Sequence, residues 1–418
     1  MSKSILKPLP SLLPGAEARK EFPIFSRHWQ RRLSYLDTAA SSQKPSCVID
    51  RLTCFYSEEH SNIHRGAYSL SAEATLRYEE ARNAIAKLLS ARDARSIVFT
   101  RGTTEGINLV AHSYEKFLKQ GDSILLTLLE HHSNIVPWQL LAARKGLQIV
   151  FAEVTDAGEL RLDDLEKKIT QYRPKLIACT QLSNALGTLV PVEHIIACGH
   201  AVGAKVLVDA AQSIAHSSID VGAMDADFLV FSGHKLYGPT GIGVLYAKPE
   251  LLEAMDPFLG GGDMIREVTT SGSTWADIPS KFEAGTPPIA EAVALGTAVE
   301  FIRSIGLDSI KAYEAALFQK AFDLLSREPG VTLYGPITKQ GAQASILSFN
   351  VKNTHAHDLS TVADTFNVQL RAGHHCAMPL LQRLGIGSSA RISLGVYSTE
   401  DDFPPLLEAI RHARDLFS

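Results

Sequence analysis

The sequence predicts an α/β protein with a mostly parallel, seven-stranded sheet in a large domain and a second, smaller α+β domain. Between Ile97 and Ala247, short apolar and β-branched runs alternate with amphipathic stretches, which is typical of βαβ units around a buried sheet. After an irregular stretch from Gly260 to Thr286, a helical pattern begins near Glu291 and the alternation ends. The chain therefore predicts two domains of different construction.

The elements of the large domain follow one another at short intervals. The predicted strands are SIVFT, SILLTLL, LQIVFAEV, LIACTQL, KVLVDAAQ, DFLVFSG and GIGVLYA. The predicted helices between them are TTEGINLVAHSYEKFL, NIVPWQLLAARKG, LDDLEKKI and PVEHIIACGHAVG. Parallel strands place their carboxyl ends at one edge of the sheet, and ligands collect at that edge.

The tail of the chain predicts the smaller domain, with strands VTLYG, SILSFNV, VQLRA and RISLGVY between helices. We place the boundary within the helical pattern from Glu291 to Gly306. This assigns residues 31–300 to the large domain, and residues 1–30 and 301–418 to the small one. The first 30 residues are therefore expected to pack on the second lobe.

Composition argues against several classes of function. The 418 residues carry a net charge of −4, so the whole protein predicts no attraction to nucleic acid or to an anionic membrane. The sequence contains no run of about 18 uncharged apolar residues, and the N-terminus has no apolar segment of useful length before its prolines, so we expect no secretory leader; a short organellar transit peptide is the alternative. The five cysteines show no CxxC spacing, which favours a reduced, cytoplasmic protein without disulfides or a metal site.

Two predicted strands end in groups that suit an aldehyde cofactor. A lysine among apolar walls, such as Lys235 after FLVFS, can lose its proton and bond to an aldehyde, although most single lysines lie on the surface. The carboxylate of Asp209 can keep a pyridine nitrogen protonated, and Gln212 can reach a phenolic oxygen. Ser232 and His234 can donate hydrogen bonds to phosphate oxygens.

Two strand-to-helix junctions predict further contacts. In FTRGTTEGIN, Thr103 and Thr104 lie where a helix begins, so its free amides can bind a single phosphate. An ordinary capped helix is the alternative, and neither GxGxxG nor GxxxxGKS/T occurs there. In LLEHHSNIVPW, His131 is expected to lie on a planar cofactor and move protons, with His132 as its competitor.

The segment VQLRAGHHCAMPL adds a cation and a thiol. Arg371 can bind the carboxylate of an amino acid through two hydrogen bonds. Cys376 is flanked by histidines and small residues, a mobile and cationic setting that favours a thiolate. Cys179 and Cys198 occur in apolar runs, so we expect them to be inert core thiols.

Ten motifs carry a resemblance to a known family. In chain order they are YLDTAASSQKP, NIHRGAYSLSAEAT, FTRGTTEGINLVA, EHHSNIVPWQ, SNALGT, VLVDAAQ, FSGHKLYGPTGIGVLY, STW, FEAGTP and RAGHHCAMPL. From about Tyr35 to Tyr397, the chain resembles the cysteine desulfurases of the SufS/CsdA type, the second group of that family within the class V aminotransferases. The resemblance implies the PLP-dependent transferase fold type I, pyridoxal 5′-phosphate as cofactor and a homodimer.

The resemblance also implies roles for individual residues. Lys235 matches the lysine that bonds to the cofactor, Cys376 the cysteine that forms a persulfide, and His131 the residue stacked on the cofactor. The other matches are cofactor contacts at Thr104, Asp209, Gln212, Ser232 and His234, a contact across the dimer interface at Thr286, and substrate contacts at His64, Asn184 and Arg371. The small domain is expected to carry the loop of the catalytic cysteine.

The implied reaction converts L-cysteine to L-alanine. The persulfide sulfur then passes to an acceptor protein of the SufE/SufU type for iron–sulfur cluster assembly. Side activity as a selenocysteine lyase and a cysteine sulfinate desulfinase is expected, since selenium and sulfite leave more readily than sulfur.

The chain departs from the family pattern at three places. TQLSN has Gln181 where many relatives have histidine, and LDTAAS and ARISL replace LDNAAT and CRASL without moving a catalytic group that we identify. Another class V enzyme, such as an aminotransferase, an epimerase or a kynureninase-like lyase, is the alternative on the same scaffold. The RAGHHCAMP segment favours the desulfurase because those reactions need no thiol. A sulfur carrier without catalysis would require damage at the cofactor residues, which are present.

Overall fold

The computed structural model describes residues 9–27, 31–336 and 345–418. The strands in these ranges are β1 (Ser34–Tyr35), β2 (Ile97–Thr100), β3 (Ser123–Thr127), β4 (Gln148–Ala152), β5 (Leu176–Thr180), β6 (Lys205–Asp209), β7 (Phe228–Ser232), β8 (Gly243–Ala247), β9 (Ile265–Thr269), β10 (Gly272–Trp275), β11 (Val331–Tyr334), β12 (Ile346–Val351), β13 (Val368–Gln369), β14 (Arg371–Gly373) and β15 (Ser389–Ser393). The α-helices are α1 (Ala16–Arg19), α2 (Ser46–Cys54), α3 (Ser69–Leu88), α4 (Thr103–Ser113), α5 (Val136–Lys145), α6 (Leu162–Tyr172), α7 (Val192–Ala201), α8 (Pro249–Ala254), α9 (Ile289–Ile305), α10 (Leu307–Arg327), α11 (Ala356–Thr365), α12 (Met378–Arg383) and α13 (Phe403–Leu416). Within the described ranges, none of these helices has the length and apolar character that a membrane span requires.

The central sheet has seven strands in the order β2-β8-β7-β6-β5-β3-β4. Strand β8 runs antiparallel to both of its neighbours, β2 and β7. The remaining four pairings are parallel. The prediction of a mostly parallel, seven-stranded sheet is confirmed. Because β3, β5, β6 and β7 run in the same direction, the residues that follow them meet at one edge.

Helices cover both faces of this sheet. Ile177 and Cys179 of β5 pack in a core with side chains of α3, α7 and α9, whereas Leu176 and Ala178 pack in a second core with α4 and α5. Alternate residues of a strand face opposite sides, so a strand buried on both sides needs a nearly continuous apolar run. This explains why the predicted strands lack a polar alternation.

The C-terminal part contains a four-stranded antiparallel sheet in the order β11-β12-β15-β14. It packs with α10, α11 and α13 around a third core that includes Phe349 and Leu406. Strand β1 pairs with β13, and Leu36 lies in this third core, although the predicted boundary at residue 31 assigns both to the large domain. The division at about residue 300 stays a prediction.

The N-terminal segment contacts two separate parts of the fold. The amide of Gly15 donates to the carbonyl of Val396 at 2.6 Å. Phe22 packs edge-on against the rings of Tyr237, which follows β7, and of Tyr397, near the C-terminus. Part of the predicted N-terminal segment lies outside the described residues, namely residues 1–8 and 28–30.

Candidate active site

A cavity of about 240 Å³ opens at the carboxyl edge of the central sheet. The residues that end or follow β3, β5, β6 and β7 contribute to its walls. The sequence-predicted residues that line it are Thr103, Thr104, His131, Asn184, Asp209, Gln212, Ser232, His234, Lys235 and Arg371. The structure thus brings most of the predicted site together in one pocket.

Lys235 and Asp209 reach the pocket from neighbouring strands. Asp209 is the last residue of β6, and Lys235 ends a one-turn 3₁₀ helix that follows β7. Burial lowers the pKa of Lys235 to about 8, although the charge of Asp209 opposes that effect. Burial also raises the pKa of Asp209, whose carboxylate accepts a hydrogen bond from the amide of Ala211 at 2.9 Å. The lysine can therefore be a neutral nucleophile near neutral pH.

The N-terminus of α4 forms a group of hydrogen-bond donors. Both the amide and the hydroxyl of Thr103 lie 2.8 Å from the hydroxyl of Ser232. The helix begins after Gly102 without a side-chain cap, so the first-turn amides that follow Thr103 can bind an anion. A Cβ atom on Gly243 would lie 2.4 Å from the Cα of Gly102, so the close approach of these two segments requires glycine at position 243.

Of the two adjacent histidines, His131 lines the pocket. Its Nδ1 accepts a hydrogen bond from the amide of Ser133 at 3.0 Å and lies 2.7 Å from the hydroxyl of that residue. Burial, with the nearby charge of Lys235, lowers the pKa of His131 to about 3, so the ring is neutral. Because Nδ1 is the acceptor, this network assigns the proton to Nε2.

Cys376 lies beside the pocket rather than in its lining. Its Sγ is 3.8 Å from Nη2 of Arg371, which does line the pocket. The thiol is half-buried, and its residue has a φ of 55°. Asn184 donates from Nδ2 to the carbonyl of His375 at 2.6 Å, so a predicted substrate residue also holds the cysteine loop.

Sequence reasoning missed Arg391, which is fully buried and lines the pocket. Its Nη2 forms an ion pair with Asp37 at 2.9 Å, while its Nε is buried without a partner in the part of the chain that the structure describes. Arg391 lies directly opposite Arg371 in the β14–β15 pairing. The sequence signal that could have found it is an arginine inside the buried strand SARIS. Burying a charge costs free energy unless a partner compensates it, so such a residue indicates a functional or structural site.

The lining residues fit a phosphorylated pyridine aldehyde. The hydroxyls of Thr103, Thr104 and Ser232, with the start of α4, supply donors for a phosphate. The buried carboxylate of Asp209 suits a protonated ring nitrogen, which would compensate its desolvation. Lys235 supplies the amine that an aldehyde requires.

Comparison with known proteins agrees with this chemistry. A model of the Aminotransferase class-V family matches residues 34–406. The chain belongs to the class-V aminotransferase family. It is similar to a cysteine desulfurase of Dickeya dadantii, with 47% identity over 96% of this chain and 97% of the relative. A probable cysteine desulfurase of Synechocystis is 44% identical over 98% of this chain and 97% of the relative.

Solved structures of the class-V fold show the same similarity. The apo cysteine desulfurase of Thermococcus onnurineus has a TM-score of 0.91 and 37% identity, covering 98% of this chain and 99% of that one. The cysteine desulfurase CsdA of Escherichia coli has a TM-score of 0.88 and 38% identity, covering 96% and 98%. The predicted family, fold type and pyridoxal phosphate cofactor are confirmed, and the predicted activity agrees with the names of these relatives.

Besides Cys376, two further residues assigned by the family resemblance do not line this chain's own pocket. Thr286 is exposed on the segment before α9, and His64 is exposed with a φ of 67°. Gln181, which replaces a common histidine, accepts a hydrogen bond from Ser213 at 2.6 Å and is also absent from the lining. The roles of Thr286 and His64 therefore stay predictions.

The other four cysteines are free thiols. Cys179 is buried, as expected, whereas Cys198 is only half-buried and packs against the edge of the same core. Cys198 is half-buried because its helical position faces Glu166 and His194, with Sγ 3.6 Å from Nε2 of that histidine. These three side chains bring potential metal-ligand atoms within 4.8 Å of one another, and none of them lines the pocket.

Proposed function

We propose that this chain is a PLP-dependent cysteine desulfurase whose persulfide forms on Cys376. The balanced reaction is Cys376–SH plus L-cysteine giving Cys376–S–SH plus L-alanine. The bond between Cβ and sulfur of the substrate breaks, and a bond between that sulfur and Sγ of Cys376 forms. No external oxidant or reductant enters the step.

The observation that carries this proposal is the thiol beside the pocket. Cys376 Sγ lies 3.8 Å from Nη2 of Arg371, which lines the pocket. Aminotransferase, epimerase and kynureninase-like reactions have no step for a thiol at this place. A nucleophile next to the site of carbon–sulfur cleavage is what a desulfurase requires.

The paired arginines support an anionic substrate. Arg371 and Arg391 lie opposite each other on neighbouring strands, and such a pair of like charges is destabilising unless an anion lies between them. Asp37 forms a direct ion pair with Arg391, whose Nε has no partner among the described residues. We assign Arg371, with Asn184 and Arg391, to the α-carboxylate of L-cysteine.

Lys235 is the proposed base and acid at Cα of the substrate. When bound, pyridoxal phosphate supplies an electron sink for the pair released at that carbon. The amine of Lys235, with a pKa of about 8, exchanges protons readily near neutral pH. His131 holds its Nδ1 against Ser133, so it is suited to stack on the ring and donate from Nε2 rather than to remove the Cα proton.

A homodimer would explain the two residues outside the pocket. Strands β9 and β10 form a hairpin whose residues are almost all exposed, including Val268 at 61% and Trp275 at 41%. Exposed apolar side chains on such a hairpin favour cover by a second copy. Thr286 and His64 are then predicted to complete the partner's pocket, as the resemblance implies. Light scattering of the holoenzyme tests this proposal, and a monomer at micromolar concentration contradicts it.

The later steps rest on the family resemblance alone. We propose that the persulfide sulfur passes to an acceptor protein of the SufE/SufU type in the cytoplasm and supplies iron–sulfur cluster assembly. Selenocysteine and cysteine sulfinate are proposed side substrates.

The deciding experiment compares wild type with Cys376→Ala, measuring alanine and sulfide released from L-cysteine under reducing conditions. We expect the variant to lose at least about 100-fold in cysteine turnover, the scale of a lost nucleophile, while keeping its cofactor absorbance and its selenocysteine turnover. If cysteine turnover survives, Cys376 is not the sulfur acceptor, and another class-V reaction becomes the better explanation of the site.

A further inference from the structure

The loop of Cys376 has an unusual backbone. His375 and Cys376 are consecutive residues with φ values of 51° and 55°. Each non-glycine residue in this left-handed region costs on the order of 1 kcal/mol and persists only where its surroundings hold it. The conformation that presents the thiol therefore depends on contacts from outside the loop.

The first half of this strained pair is held from two sides. Asn184 donates from Nδ2 to the carbonyl of His375 at 2.6 Å. The ring of His375 donates from Nε2 to the carbonyl of Ser389 in β15 at 3.0 Å. These contacts fix residue 375 but do not reach the backbone of Cys376 or the start of α12.

His132 holds the second half. Its amide donates to the carbonyl of Cys376 at 2.8 Å, and its ring Nε2 accepts a hydrogen bond from the amide of Met378 at 3.1 Å. Met378 is the first residue of α12, and Ala377 before it provides no side-chain cap. The imidazole therefore takes the place of a helix cap, and its Nε2 must be unprotonated to do so.

His132 also continues directly from the cofactor side of the pocket. It follows His131, which lines the pocket, and lies in the same 3₁₀ turn as Ser133, which fixes the ring of His131. The backbone that places a ring in the pocket is thus the backbone that fixes the thiol loop.

We propose that His132 is a positioning residue that holds Cys376 in place to attack the substrate sulfur, through its two hydrogen bonds to residues 376 and 378. The proposal rests on the proposed desulfurase function and assigns His132 a task distinct from that of His131. His132 does not line the pocket. It acts by keeping the thiol loop in the strained conformation.

The test uses holoenzyme variants His132→Phe and His132→Gln. Phenylalanine keeps a ring but removes the acceptor, whereas the glutamine amide oxygen can reach the position of Nε2. We expect His132→Phe to lower kcat for L-cysteine about 10-fold, the effect of one lost hydrogen bond of about 1.4 kcal/mol, with little change in KM. His132→Gln should recover most of this loss.

Two further measurements separate positioning from a general structural effect. The cofactor absorbance and the selenocysteine turnover of His132→Phe should stay within about two-fold of wild type, since neither depends strongly on Cys376. The rate at which iodoacetamide alkylates Cys376 should change, because the loop is no longer held. His194→Phe is the matched control, since it replaces another partly exposed histidine that does not line the pocket.

Three results would overturn the proposal. They are unchanged cysteine turnover in His132→Phe, an equal loss for cysteine and selenocysteine, and no recovery in His132→Gln. The Cys376→Ala variant, run in parallel, tests the desulfurase function itself. If that variant still turns over cysteine, the proposed function fails, and this result is distinct from any result at His132.

Discussion

The two ends of the pocket are built in different ways. The cofactor end rests on buried strands, since Asp209 ends β6 and Ser232 ends β7. The thiol end rests on a half-buried loop in which His375 and Cys376 both have positive φ. Hydrogen bonds from distant segments, at Asn184 and His132, hold that loop.

This difference indicates which steps of the reaction depend on the cofactor end and which depend on the thiol end. The sheet fixes the cofactor end because its strands are buried on both faces and paired on both sides. The thiol end is held by a few contacts, so it can change conformation at a small cost in free energy. We therefore expect changes at the cofactor end to affect every substrate, and changes at the thiol end to affect only sulfur transfer from cysteine.

The largest expected effect is at Lys235. Lys235→Ala removes the amine that bonds to the cofactor and moves the Cα proton, so turnover of cysteine and selenocysteine should both fall by about 1,000-fold or more. The absorbance of the lysine-bound cofactor should vanish, which spectra of the purified variant check directly. Lys167→Ala, at an exposed position of α6, is the control. If selenocysteine turnover survives in Lys235→Ala, the cofactor end is not required for every substrate, which contradicts the comparison.

The next effect is at the paired arginines. Arg391→Lys should raise KM for L-cysteine about 10- to 100-fold, the value of one or two charge-assisted hydrogen bonds, with the cofactor absorbance unchanged. Arg371→Lys should have a smaller effect on KM because Arg371 is half-buried and lies beside the thiol. Steady-state kinetics with cysteine and selenocysteine measure both variants. An effect on kcat alone would assign Arg391 to the reaction step rather than to substrate binding.

The sequence predicted the cofactor end well because its residues follow strands. Asp209, Ser232 and Lys235 come at the ends of apolar runs, and strands of a parallel sheet share one edge. Arg391 could not be found in this way, since its importance depends on the antiparallel register that places it opposite Arg371. Register between strands about twenty residues apart is not visible in the sequence of either one.

For the thiol end, the sequence predicted the reactive residues but not their positions relative to one another. The sequence indicated a reactive cysteine near histidines and predicted His131 on the cofactor with His132 as its competitor, but it gave His132 no place at the thiol loop. The structure places His131 in the pocket and His132 on the thiol loop. This assignment depends on contacts between residues about 245 positions apart, which hydrophobic patterns do not report.

A smaller effect concerns the pH at which apoenzyme takes up pyridoxal phosphate. Because burial lowers the pKa of Lys235 to about 8, the neutral, reactive fraction of the amine should rise about ten-fold between about pH 7 and pH 9 and then level off. The appearance of the cofactor absorbance after mixing, followed by stopped flow, measures this rate. A rate that still rises steeply above about pH 10 would mean that the amine titrates like an exposed lysine.

The smallest expected effect is at Gln181, the position where many relatives have histidine. Its side-chain oxygen accepts a hydrogen bond from Ser213, and the residue does not line the pocket. Gln181→His should therefore change kcat by less than about three-fold and leave the pH profile in place, since it exchanges one acceptor for another. A shift of the pH profile in this variant would show that residues behind the pocket lining, such as Gln181, also affect proton transfer at the cofactor end.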